Sequence, residues 1–132
     1  MYSILLIEDH LGFAKAIRNF LSQKKDLEVV DTAHSAEEAL RKLRELKIDV
    51  ALVDVSLPTM DGIELVRQIH TEFPHVRCLM LSGHMSSKYV KDALGVGASG
   101  YILKDDANGI LEGIPRVLAG EIYVSQTLRN DK

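Results

Sequence analysis

Short apolar runs alternate along this chain with stretches whose apolar residues recur at helical spacing. Ile4-Leu5-Leu6-Ile7, Leu27 to Val30, Val50-Ala51-Leu52-Val53, Cys78-Leu79-Met80-Leu81 and Tyr101-Ile102-Leu103 read as strands. The run from Val50 is short and continuously apolar, as in a central strand buried on both faces. Between the runs, Phe13, Ala16, Ile17, Phe20 and Leu21 predict a first helix, and Ala36, Ala39, Leu40 and Leu43 a second. Ile63, Val66, Ile69 and Phe73 predict a third, residues 87–94 a shorter fourth, and Ile110, Leu111, Ile114, Val117 and Leu118 a fifth. Strict alternation of this kind implies right-handed βαβ units and a parallel sheet covered on both faces.

Local punctuation supports these elements. Ser35-Ala36-Glu37-Glu38 matches a capping box, and Asp61-Gly62-Ile63-Glu64 is a similar start. Pro74 ends the third helix, while Gly95 and Gly97 are stops for the fourth. The last helix breaks a local rule. Pro115 removes a backbone donor and crowds the preceding turn at a cost of ~3 kcal/mol, and Gly109 and Gly113 each weaken the helix by about 1 kcal/mol. A kinked or late-starting final helix is expected. Residues 121–132 lose the periodicity and read as a tail or the start of a linker, so the domain is expected to span residues 1–119.

Composition narrows the class. With 132 residues, 46% hydrophobic and 27% charged, the chain is one globular domain able to bury a core without staples. A formal net charge of −3 and no basic run give no footprint for nucleic acid. The one cysteine excludes an internal disulfide and fits a reducing compartment; Cys78 reads as an inert buried thiol. The N-terminal segment lacks a basic n-region, and its apolar stretch is too short for a signal peptide or membrane span. A soluble, cytoplasmic protein with no membrane partner is expected.

The chemistry lies where the apolar runs stop. The first ends at Glu8-Asp9, the run from Val50 at Asp54, the run from Cys78 at Ser82, and the last at Lys104. In a parallel sheet these C-terminal ends share one edge, where open α/β folds bind ligands. Carboxylates, a hydroxyl and an ammonium would meet there, a set suited to a divalent cation and a phosphoryl group. Asp54, ending the most apolar strand, is the candidate nucleophile, since a carboxylate can accept a phosphoryl group as an acyl phosphate. Glu8 and Asp9 suit Mg²⁺, which prefers oxygen ligands and keeps waters. Lys104 would neutralise phosphoryl oxygens as a point charge, and Ser82 would donate a hydrogen bond to one. Without a cation, carboxylates about 4 Å apart repel by roughly 1 to 4 kcal/mol per pair. Removing Asp9 is therefore expected to stabilise the metal-free fold.

From residue 2 to about residue 118, the chain resembles a receiver domain of a bacterial two-component response regulator. The resemblance rests on Glu8-Asp9-His10, on residues 54–62 (Asp-Val-Ser-Leu-Pro-Thr-Met-Asp-Gly), on Leu81-Ser82-Gly83, and on residues 97–105 (Gly-Ala-Ser-Gly-Tyr-Ile-Leu-Lys-Asp). It implies a flavodoxin-like (βα)5 doubly wound fold, a five-stranded parallel sheet in the order 2-1-3-4-5. It also implies Asp54 as phosphoacceptor and a Mg²⁺ (or Mn²⁺) site formed by Glu8, Asp9, Asp54 and the backbone carbonyl of Ser56. Ser82 and Lys104 would sense the phosphate. Tyr101 matches the switch aromatic, which turns inward when the hydroxyl at position 82 moves onto the phosphate. The phosphoryl donor would be a sensor histidine kinase or phosphotransfer protein, and phosphorylation would promote a homodimer.

His10 and the Gly-Tyr-Ile-Leu-Lys-Asp run resemble the NarL/FixJ (LuxR-type) subgroup, whose members usually carry a C-terminal helix-turn-helix domain. DNA would be touched only through such a domain, absent from this chain. Many receivers have proline after the lysine, often through a cis bond; Asp105 stands there instead, and a trans bond is expected. Ser56 and His84 should sit at the rim where water enters. Ser56 is too short to shield a phosphoryl group; His84 is either positioned to orient water or simply a solvated loop residue. His34, His70 and His75 read as structural, with His34 exposed. Two other functions compete: a small phosphatase using Asp54 transiently, and a phosphate-independent interaction module. The first usually needs an acid two residues after the nucleophile, which Ser56 is not.

Overall fold

A computed structural model describes residues 1–83 and 86–129. Elements alternate in the expected order: β1 (Tyr2–Ile7), α1 (Leu11–Leu21), β2 (Leu27–Ala33), α2 (Ala36–Glu45), β3 (Val50–Asp54) and α3 (Gly62–Glu72). They continue with β4 (Arg77–Ser82), α4 (Ser87–Gly95), β5 (Gly100–Leu103), α5 (Ala107–Leu118), β6 (Tyr123–Val124) and α6 (Gln126–Arg129). The strands form one parallel sheet in the order β2-β1-β3-β4-β5-β6. The flavodoxin-like order 2-1-3-4-5 is present, and a short sixth strand extends the expected five.

Successive side chains on a strand point to opposite faces, so each central strand feeds two cores. Ile4 and Leu6 of β1 pack with Ala14, Ile17 and Leu21 of α1 and with Ile110, Ile114 and Val117 of α5. Leu5 and Ile7 pack on the other face with Leu40 of α2, Leu65 and Ile69 of α3, and Ala93 of α4. All five residues of β3 are buried, as its unbroken apolar run requires.

The caps follow the sequence with one change. Ser35 accepts the Glu38 N–H at 3.1 Å, but the Glu38 carboxylate reaches back to the His34 N–H rather than to that of Ser35. Asp61 caps α3 through the Ile63 N–H.

The C-terminal region departs from expectation in two ways. First, α5 does not start late: it begins at Ala107, capped by Asp106, and its helical residues continue through Pro115 to Leu118. Pro115 lies on the exposed face, so water can reach the Leu111 carbonyl whose intrahelical donor is missing. Gly113 also has a use, because a methyl group there would press on Ile102 and the Tyr123 ring. Second, the stretch from residue 121, expected to be a tail or linker start, packs on the domain as far as it is described. Tyr123 and Val124 pair with Gly100 and Tyr101, and Tyr123 and Leu128 are buried. No cis peptide occurs among the described residues, so the Lys104–Asp105 bond is trans.

Candidate functional site

Register brings the strand ends together. Ile7 pairs with Val53, Asp54 with Leu81, and Ser82 with Leu103, so Glu8, Asp54, Ser82 and Lys104 line one edge of the sheet. Carboxylate oxygens of Glu8, Asp9 and Asp54, one from each, lie within 4.8 Å of one another. Lys104 Nζ stands between two of these acids, 2.9 Å from Glu8 Oε1 and 3.3 Å from Asp54 Oδ1. The Ser56 N–H donates to Asp54 Oδ1 at 3.0 Å and the His10 N–H to Glu8 Oε2 at 3.1 Å.

Backbone hydrogen bonds fix the end of β3 at Asp54. The Val55 N–H bonds the Leu81 carbonyl, and the Gly62 N–H bonds the Val55 carbonyl, drawing the start of α3 over the end of β3. Only glycine fits at position 62, because a methyl group would collide with the Asp54 carbonyl oxygen. This close approach explains the glycine in the Asp-Gly-Ile-Glu helix start.

Burial distinguishes the acids. Glu8 is 0% and Asp54 3% exposed, whereas Asp9 lies at the surface. Burial pushes the Asp54 carboxyl up to about 7, and the Glu8 carboxylate beside it adds to the rise. The Ser56 N–H and the Lys104 charge pull back without cancelling it. At Lys104, burial acts to lower the pKa, but the bond to Glu8 and the charges of Asp54 and Glu8 outweigh it and raise the ammonium.

Two groups complete the surroundings. Phe13 of α1, which the periodicity marks only as a residue on the apolar face of its helix, places its ring centroid 4.7 Å from Lys104 Nζ as a cation–π partner. His34, exposed as expected, also reaches the site, with its Nδ1 3.1 Å from the Glu8 carbonyl. Ser82 is buried at the end of β4. Tyr101 is buried too, its ring inside the α4-side core and its hydroxyl without a standard hydrogen bond among the described residues. Burial raises its phenol, and neighbouring Ser82 works the other way. Of the other site residues, Ser56 is exposed, and His84 lies outside the described residues. His70 and His75 are exposed and join no metal-ligand cluster among the described residues.

The donor set fits a small hard cation. All three groups offer carboxylate oxygens, and Glu8 Oε1 is buried with no standard hydrogen bond, its near contact being the Lys104 ammonium. The acids form the triad typical of the receiver-domain metal site.

Comparison with known proteins agrees with this geometry. The family model described as "Response regulator receiver domain" matches residues 4–114. The transcriptional regulatory protein DegU of Brevibacillus brevis is 34% identical over 122 residues, covering 92% of this chain and 52% of DegU. The response regulator protein VraR of Staphylococcus aureus is 36% identical over 119 residues, covering 89% of this chain and 57% of VraR. The chain thus spans about half the length of the curated relatives it matches. A two-component response regulator of the LuxR family from Aurantimonas sp. SI85-9A1 superposes with a TM-score of 0.94 at 31% identity. That match covers 98% of this chain and 93% of the other. No helix among the described residues is long and apolar enough to cross a membrane. With its sheet order, its acidic triad and these matches, the chain belongs to the receiver domains of two-component response regulators, of the NarL/LuxR type.

Proposed function

We propose that this chain is a phosphorylation-controlled switch that accepts a phosphoryl group on Asp54 from a sensor histidine kinase or phosphotransfer protein. The seating of one ammonium between two buried acids, Lys104 against Glu8 and Asp54, supports the reading most directly. A purely structural ion pair does not need the second buried carboxylate, whose ionisation the site opposes.

In the transfer, an Asp54 oxygen bonds phosphorus as the donor's P–N bond breaks, and the imidazole leaves. The product is an acyl phosphate at the floor of the mouth. Glu8, Asp9, Asp54 and the Ser56 carbonyl would hold Mg²⁺ (or Mn²⁺), which when bound supplies positive charge toward the phosphoryl oxygens. Lys104 contributes a second cation and Ser82 a hydroxyl donor. Tyr101 reports the state to the α4 face, and because its ring is already inside, phosphorylation would stabilise an arrangement the chain can already reach.

The wider role is also proposed. One curated relative is named a transcriptional regulatory protein and is about twice as long as the matched region. Control of transcription through a DNA-binding domain outside this chain, with a homodimer formed on phosphorylation, is the reading that follows. A phosphatase is disfavoured because Ser56 offers no general acid two residues after Asp54.

Incubation with Mg²⁺ and acetyl phosphate followed by intact mass measurement tests the reading. A stoichiometric phosphoryl adduct that disappears in Asp54→Asn is expected. Multiple turnover of varied phosphoesters would favour the phosphatase, and no adduct would favour the phosphate-independent module.

A further inference from the structure

The loop that carries Lys104 is bolted to the C-terminal segment. Leu103 and Asp106 flank the lysine on either side. The Ser125 hydroxyl accepts the Leu103 N–H at 3.0 Å and donates to Asp106 Oδ2 at 2.7 Å. The other Asp106 oxygen accepts the Gly109 N–H at 2.8 Å, fixing the first turn of α5. Ser125 is 1% exposed and is itself held by its N–H to the Tyr101 carbonyl. The seat is built for this carboxylate, since a methyl group at position 109 would collide with it. The Leu103 N–H points toward the sheet edge, where β6 has ended, and the serine hydroxyl satisfies a donor that would otherwise be orphaned.

We propose that Ser125 and Asp106 are positioning residues for Lys104, a latch by which the β6–α6 segment holds the phosphate-sensing lysine in register with Asp54. This rests on the phosphoacceptor reading above. The latch ties this turn to a residue 19 positions along the chain from Asp106. Of the acids of the metal site, Glu8 and Asp9 follow β1 and Asp54 ends β3, and the side-chain hydrogen bonds of Ser125 and Asp106 go to other groups. Loosening the latch should therefore slow phosphoryl transfer without weakening cation binding, since the ammonium competes with a cation for Glu8 and Asp54.

The test compares wild type, Ser125→Ala, Ser125→Thr, Lys104→Met and the double variant Ser125→Ala/Lys104→Met. Phosphorylation rates are followed by intact mass with acetyl phosphate and saturating Mg²⁺, at a temperature where each is folded by circular dichroism. Mg²⁺ affinity is measured separately by calorimetry. Ser125→Ala is expected to phosphorylate about tenfold more slowly with no loss of Mg²⁺ affinity. Ser125→Thr, which keeps the hydroxyl, is expected to recover most of the rate, and Ser125→Ala should cost little more once Lys104 is gone. Wild-type rates in Ser125→Ala, equal loss of rate and Mg²⁺ affinity, or full additivity with Lys104→Met would each overturn the latch. Absence of any adduct in wild type would overturn the phosphoacceptor reading instead.

Discussion

Asp54 is expected to be the most costly charge in the metal-free fold, and Asp54→Asn should show by how much. In the folded protein the carboxyl titrates at about 7, against 3.8 for an ordinary aspartate. A folded pKa raised above the unfolded one means that, between these values, the folded state holds a proton the unfolded chain has released. Stability from this residue is therefore greatest below about pH 4, falls as pH rises toward about 7, and is then level. At 1.36 kcal/mol per pH unit, the interval from 3.8 to about 7 amounts to about 4 kcal/mol. Asparagine keeps the shape without the charge, so in chelator the variant should gain on wild type by up to this amount between pH 4 and pH 8. In melting temperature, at about 3 °C per kcal/mol for a domain of this size, the gain is about 12 °C. Urea denaturation of both proteins in EDTA across this pH range is the assay, because titrations of groups that do not face Asp54 are common to the pair and cancel. Millimolar Mg²⁺ at pH 8 should narrow the gap by stabilising wild type. A stability difference that stays constant with pH, or an asparagine variant less stable than wild type at pH 8, would refute the reasoning. The larger effect moves from Asp9, where the sequence alone put it, to Asp54, because Asp9 is exposed and screened by solvent.

Three further outcomes follow from the same geometry. Lys104→Met leaves Glu8 and Asp54 without their cation and should destabilise the chelated protein by about 3 kcal/mol in urea unfolding. The ammonium's pKa is raised on folding, so this contribution is complete below the ordinary lysine value of 10.5 and is lost above the folded value. Measurements at pH 8 therefore fall within its range, and added Mg²⁺ should recover part of the loss. Gly62→Ala presses a methyl group onto the Asp54 backbone and should cost about 2 kcal/mol or more in the same assay; neutrality would contradict the close approach. Cys78 is buried, with its thiol pushed up to about 12, so a thiol reagent at pH 8 should label it only as fast as the domain opens. Rapid stoichiometric labelling of the native protein would contradict that burial.

What the sequence determined by itself is local. An apolar run of four residues, a Ser or Asp cap, and an acid or lysine directly after a strand are all readable along the chain. Parallel alternation then forces the strand ends to one edge, so Glu8, Asp9, Asp54, Ser82 and Lys104 could be assembled before any coordinates. Tertiary structure decided what depends on distance through space. Three acids at strand ends look alike in sequence, but only packing buries Glu8 and Asp54 and leaves Asp9 in solvent. Phe13 has the helical spacing of a core residue, and only the fold sets its ring against Lys104. A two-residue strand is too short to show a period, so β6 became visible only against the free edge of β5, which supplies its hydrogen bonds. Gly109 and Gly113 read as weaknesses in a helix until the Asp106 carboxylate and the Tyr123 ring filled the space they leave. Propensity acts between neighbours along the chain, whereas burial, charge coupling and close approach act between residues that only folding brings together.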